Sequence, residues 1–167
     1  MRGVARVRTP RTRSDEEISC RWWKLRFKDA GKPELGGTIT KVLEGSSDST
    51  PASPGPKMMD NLTIDDRGHV LIQEDPGVDA YLAGVFQLDI ASRALRRIAV
   101  HDPQRWTTGG TSFDTIDEES SGIIPAPFLG KGKYLLDVQD HAAVADPAIV
   151  QKGQLLVMKV PPAQPVG

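Results

Sequence analysis

Four short segments concentrate the oxygen-bearing side chains of this chain: MDN at 59–61, QED at 73–75, DEESS at 117–121 and QDH at 139–141. Each abuts a run of alternating or apolar residues, so each is placed where a strand begins or ends. In an up-and-down meander, the loop before the first strand and the loop after the second share one rim. All four segments then converge. Asp60, Asn61, Glu74, Asp75, Glu118, Glu119, Gln139, Asp140 and His141 are together candidate cation-binding, substrate or rim residues. Oxygen-rich sets of this kind suit hard cations. Ca2+ takes about 6–8 oxygen ligands at roughly 2.3–2.6 Å, and a bound cation can hold a phosphate and stabilise an in-line displacement. The same residues also have a plainer use. Asp and Asn beside strands close turns through side chain-to-backbone bonds, glutamate runs face solvent, and a histidine just past a strand is a capping or surface residue. The geometric expectation is that the Asp60 and Glu119 carboxylates lie on one side of the sheets, within about 15 Å, a few strand spacings.

No catalytic nucleophile can be assigned. Ser120 and Ser121 lack the Gly-x-Ser-x-Gly elbow of a serine hydrolase. No phosphate-cradling or dinucleotide-binding glycine motif is present. Cys20 is the single cysteine, with no Cys/His cluster around it, so neither an internal disulfide nor a zinc site is expected. His69 and His101 sit in or beside strand turns and read as structural. The net charge of −1 gives no electrostatic reason to expect a nucleic-acid or anionic-membrane partner. Arg2, Arg6, Arg8, Arg11 and Arg13 form a basic start with no aromatic residues between them and no apolar stretch after them. This arm reads as a disordered or non-native tail over 1–19, not as a secretory signal. No apolar run approaches the roughly 20 residues that span a bilayer.

The elements that must position these residues are short strands. Sixteen glycines and thirteen prolines favour many turns over long helices. Residues 20–27 (CRWWKLRF) and 38–43 (TITKVL) read as strands, and the Ser/Pro-rich stretch 46–56 reads as a mobile loop. A regular pattern follows: strands at 62–64, 69–73, 84–89 and 95–100, with DDRG at 65–68 as a hairpin turn. A related set comprises 122–125, 133–139 and 154–160. The Asp146-Pro147 pair predicts one helical turn within 144–152, with Asp146 as N-cap. No helix of ten or more residues is expected.

Repeated four-stranded meanders are the signature of propeller blades. The expectation is an all-β partial β-propeller over 20–160, about two and a half four-stranded antiparallel blades, followed by a C-terminal tail at 161–167. A small β-sandwich is the alternative. Propellers close with roughly four to eight blades, so the chain reads as a fragment. Apolar residues on consecutive strand positions, as at 70–72 and 155–158, suit strands covered on both faces. Uncovered end blades predict marginal folding or self-association.

Four segments in order also carry a family resemblance: KMMDNLTIDDRGHVLIQEDPG from 57, YLAGVFQLDIASRALRRIAVHDP from 81, DEESSGII from 117 and GKGKYLLDVQDH from 130, with GQLL at 153–156. They resemble the PhoX-like (alkaline phosphatase/phytase-like) family, in its C-terminal part. The resemblance implies a propeller-fold, metal-dependent phosphomonoester hydrolase using Ca2+ and, in some members, Fe, acting on a phosphate-ester substrate in the periplasm or outside the cell. It implies Asp60, Asn61 and Glu119, then Glu118, as metal-site positions. It also implies that these residues alone are too few for activity, the alternative being a non-catalytic propeller fragment or interaction module with a structural acidic rim.

Overall fold

Among the described residues nine strands pair in chain order into three antiparallel sheets. The computed structural model describes residues 20–45, 55–78 and 81–161. The arginine-rich tail, most of the 46–56 loop and all but the first residue of the C-terminal tail lie outside the described residues. In the first sheet β1 (Arg21–Phe27) pairs with β2 (Gly37–Glu44). The second is a meander of β3 (Met59–Ile64), β4 (His69–Glu74), β5 (Gly84–Asp89) and β6 (Leu95–Val100). The third joins β7 (Glu118–Pro125), β8 (Lys133–Asp140) and β9 (Lys152–Lys159). No helix among the described residues is long and apolar enough to cross a membrane.

The central sheet is covered on both faces. Val70, Ile72, Phe86 and Leu88 pack with Trp22, Val42 and Leu43 of the first sheet. Leu71 and Val85, one residue out of phase, pack with Ile123, Tyr134 and Leu136 of the third. Strand residues alternate between faces, so a strand buried on both sides must be apolar at consecutive positions. All six residues of β4 are buried, which accounts for the unbroken VLI run. The result is three antiparallel sheets of two, four and three strands stacked face to face in chain order, an arrangement that fits both a propeller segment and a small sandwich. Exposed apolar side chains remain on the end sheets, with Trp23, Leu25 and Ile39 on the first and Leu155 and Val157 on β9.

Two local expectations need correcting. β3 begins at Met59 and β7 at Glu118, so residues 59–61 and 118–121 are strand residues, not loops leading into strands. Polar strand starts survive because partners across the sheet complete their pairing: Met59 faces Glu74, Glu118 faces Asp140, and Glu119 faces Gln139. The helical turn expected at 144–152 is also absent. Asp146 makes only a capped turn, its carboxylate accepting from the Ala148 N–H at 2.9 Å. The helix forms instead at α1 (Pro103–Trp106), where Asp102 caps the Gln104 N–H at 2.9 Å. Both sites have the Asp-Pro start. Only α1 also carries a buried anchor, Trp106, whereas Ile149 and Val150 are exposed. An isolated turn is not stable without tertiary packing.

β7 is bent by an irregularity between Ser121 and Ile124. Gly122 sits there at φ 62°, and a Cβ on it would lie 1.9 Å from Asp137 Oδ1 on β8. Left-handed backbone costs a non-glycine residue roughly 1–2 kcal/mol, before Asp137 is displaced. Gly122→Ala should therefore lower the unfolding free energy by about 2 kcal/mol. In an Asp137→Ala background the loss should be smaller, which a double-mutant cycle by urea denaturation would measure.

Candidate functional site at the acidic rim

The strand starts of β3 and β7 meet where the second and third sheets adjoin. Asn61 Nδ2 donates to Ser121 Oγ across the sheets at 3.1 Å and to Asp60 Oδ2 at 2.5 Å. Glu119 lies beside them. Its pKa is raised, first by burial and then by the negative charges of Asp75 and Asp60; a hydrogen bond with Ser121 and the nearby His141 pull the other way. His141 Nε2 is 3.7 Å from Glu119 Oε2, and its other ring nitrogen contacts the Gln151 amide. Asp75 uses Oδ1 to accept from the Gly77 N–H at 2.9 Å, closing the turn after β4. Gln139 pairs with Glu119 across β7 and β8. Thus Asp60, Asn61, Asp75, Glu119, Gln139 and His141 share one rim, with Ser121 as the hydroxyl that links Asn61 to Glu119.

The other three candidates are drawn inward. Glu118 precedes Glu119 on the strand and points the opposite way. It is 1 % exposed; its Oε1 accepts from the Ala83 N–H at 2.8 Å and lies 3.2 Å from His101 Nδ1. Glu74 is buried and clamps two segments, accepting from the Lys57 N–H at 2.6 Å and the Gly84 N–H at 2.9 Å. Burial pushes its pKa up, against the pull of those N–H donors. Asp140, also buried, accepts from the Ala142 N–H at 3.0 Å and touches Asp114. These carboxylates hold backbone together, and strand alternation is the reason: Glu118 and Asp140 face each other on the inner side of β7 and β8.

Among the described residues no group of three or more His, Cys, Asp or Glu side chains is arranged to hold a metal ion. The rim supplies a negative field and several oxygen donors, but not a closed ligand set. No chemical step through a cation follows from these residues by themselves.

Two polar networks were not legible in the sequence. Gln73, fully buried on β4, reaches across to β7: Nε2 donates to Ser120 Oγ at 2.7 Å and to the Ser121 carbonyl at 2.9 Å, and Oε1 accepts from the Ile123 N–H at 3.0 Å. At the opposite rim, Asp65 accepts at Oδ1 from the Arg67 and His69 N–H groups. Its Oδ2 faces His69 Nδ1 at 3.0 Å, Arg67 Nη2 at 3.2 Å and the Tyr134 hydroxyl at 2.9 Å. The Asp-x-x-Gly-His spacing marks the turn. Nothing local marks Tyr134 as its partner.

No family model, no curated protein and no solved structure matches this chain.

Proposed function

We propose that the chain is the C-terminal portion of a metal-dependent phosphomonoester hydrolase of the PhoX-like kind, periplasmic or secreted, and inactive by itself. The observation that supports this reading is the meeting of Asp60, Asp75 and Glu119 at one rim, with Asn61 and His141 beside them. Burial, with the charges of Asp75 and Asp60, raises the cost of ionising Glu119, and a cation would relieve that cost. Ca2+, with Fe as an alternative, suits the oxygen donors present. The rim oxygens would hold the cation with water in its remaining positions, and a phosphate-ester substrate would be turned over only by the larger assembly.

A second reading rests on Glu74, Glu118 and Asp140, whose carboxylates accept backbone N–H groups. An acidic rim used in that way belongs to a non-catalytic propeller segment or interaction module.

Calcium titration separates the two. At about tenfold excess over the dissociation constant, a site present only in the folded state adds about 1.4 kcal/mol, or roughly 3 °C in Tm for a domain of this size. Glu119→Gln should abolish that rise while leaving the metal-free Tm unchanged or slightly higher, because it removes like-charge repulsion. Neither protein should hydrolyse p-nitrophenyl phosphate. A wild-type Tm indifferent to calcium and iron selects the second reading.

A further inference from the structure

At the far end of the same two sheets lies a cavity of about 630 Å3, between the β3–β4 turn and the β7–β8 turn. Ile64 ends β3 and Pro125 ends β7, whereas the acidic rim lies at the starts of those strands. At about 3.3 Å per residue the two regions are roughly 15–20 Å apart. The volume is in the range of small-molecule sites, roughly 300–1,000 Å3.

Its walls divide by chemistry. Ile64, Pro125 and Pro127 supply apolar surface, and Arg67, Lys131 and Lys133 supply positive charge. Arg67 is held by Asp65 and thereby neutralised. Asp65 is in turn committed to His69 and Tyr134, so its charge is not available to the lysines. Lys131 and Lys133 have no carboxylate partner within ion-pair distance among the described residues, leaving exposed Asp66 as the only other acid in the lining. The turn carrying both lysines is bonded to the chain after β9, the Val160 N–H donating to the Gly132 carbonyl at 2.8 Å. Gly132 stands at φ 72°, and a Cβ there would meet the Val160 carbonyl oxygen at 2.7 Å.

We infer that this cavity binds a small organic anion, an aromatic or acyl body on Ile64, Pro125 and Pro127 with its phosphate or carboxylate head between Lys131 and Lys133. Lysine is a point-charge partner for such heads, and the apolar wall requires more than the head alone. The inference is independent of the acidic rim.

The test uses the whole chain, with phenyl phosphate, benzoate, inorganic phosphate and phenol as probes, followed by calorimetry and backbone amide shifts. Phenyl phosphate or benzoate should bind and shift the amides of 131–134. Inorganic phosphate and phenol should each bind at least tenfold more weakly. The Lys131→Ala/Lys133→Ala double variant, checked as folded by circular dichroism, should lose at least tenfold in affinity, while Glu119→Gln should bind as wild type. The stronger of the two organic probes identifies the head group. Unchanged affinity in the double variant overturns the inference. So does inorganic phosphate binding as tightly as the organic probes, absence of binding by either organic probe, or shifts confined to 117–121.

Discussion

Gln73→Leu is expected to lower the unfolding free energy by about 3 kcal/mol, although it places an apolar residue of similar size in a fully buried position. Leucine would suit the surroundings by area alone, and Leu71 and Ile72 beside it are equally buried. The cost arises from the partners left behind. The Ser121 carbonyl, the Ser120 hydroxyl and the Ile123 N–H all spend bonds on the Gln73 amide. A buried polar group stripped of its partner costs roughly 1–3 kcal/mol. Two of these groups are backbone of the bent part of β7, where the ladder to β8 is interrupted between Ser121 and Ile124. The side chain from the neighbouring sheet thus replaces ladder bonds that β8 does not supply. Gln73→Glu is a useful companion, because it keeps the Ile123 acceptor and places a carboxylate against the Ser121 carbonyl. Urea denaturation of both variants would measure the effect. A loss below about 0.5 kcal/mol for Gln73→Leu, the range of ordinary surface substitutions, would mean that the inter-sheet amide is not structural. Because Gln73 joins the second and third sheets, hydrogen exchange should also rise over 118–125 more than over β5.

Acid should release the Asp65 network. Burial alone would raise the Asp65 pKa, but hydrogen bonds from His69, Arg67 and Tyr134 outweigh it and hold the carboxyl at about 2, against an ordinary 3.8. A carboxyl depressed in the folded state contributes stability that is fully present above its unfolded pKa. That contribution is lost as pH falls from about 3.8 through 2. The shift corresponds to about 2 kcal/mol. Glu74 and Glu119 are shifted upward and oppose this trend, since their folded states favour the proton. The difference between wild type and Asp65→Asn isolates the one carboxyl. At pH 6 that substitution should cost about 2–3 kcal/mol, because an amide nitrogen meets donors where an oxygen accepted. The gap should narrow by about 2 kcal/mol as the pH is taken to 2. A gap independent of pH would show that the Asp65 charge plays no part and that only its shape matters.

Most of the strand plan was legible in the residues. Period-two alternation at 84–89 and 38–43, the DDRG turn with Gly68 at φ 84°, and the apolar VLI run all signal local geometry or two-sided burial directly. The class of fold follows from these, because pleat and turn preferences are local properties. The strand starts at 59–61 and 118–121 were not legible. Their polar residues look like loop, and they join strands only because Glu74, Asp140 and Gln139 lie opposite them. The division among the acidic candidates was hidden for the same reason. Glu118 and Glu119 are chemically alike and adjacent, yet alternation sends one inward to the Ala83 N–H and His101 and the other outward toward Asp75 and His141. Which of them goes inward depends on the phase of β7 against the second sheet, set by the packing of Ile123 with Leu71 and Val85 and by the Gln73 bonds. Sequence determined that this chain makes short strands with oxygen-rich ends. Tertiary packing alone decided which of those oxygens hold the backbone together and which face the rim, because a one-residue change of phase would exchange them.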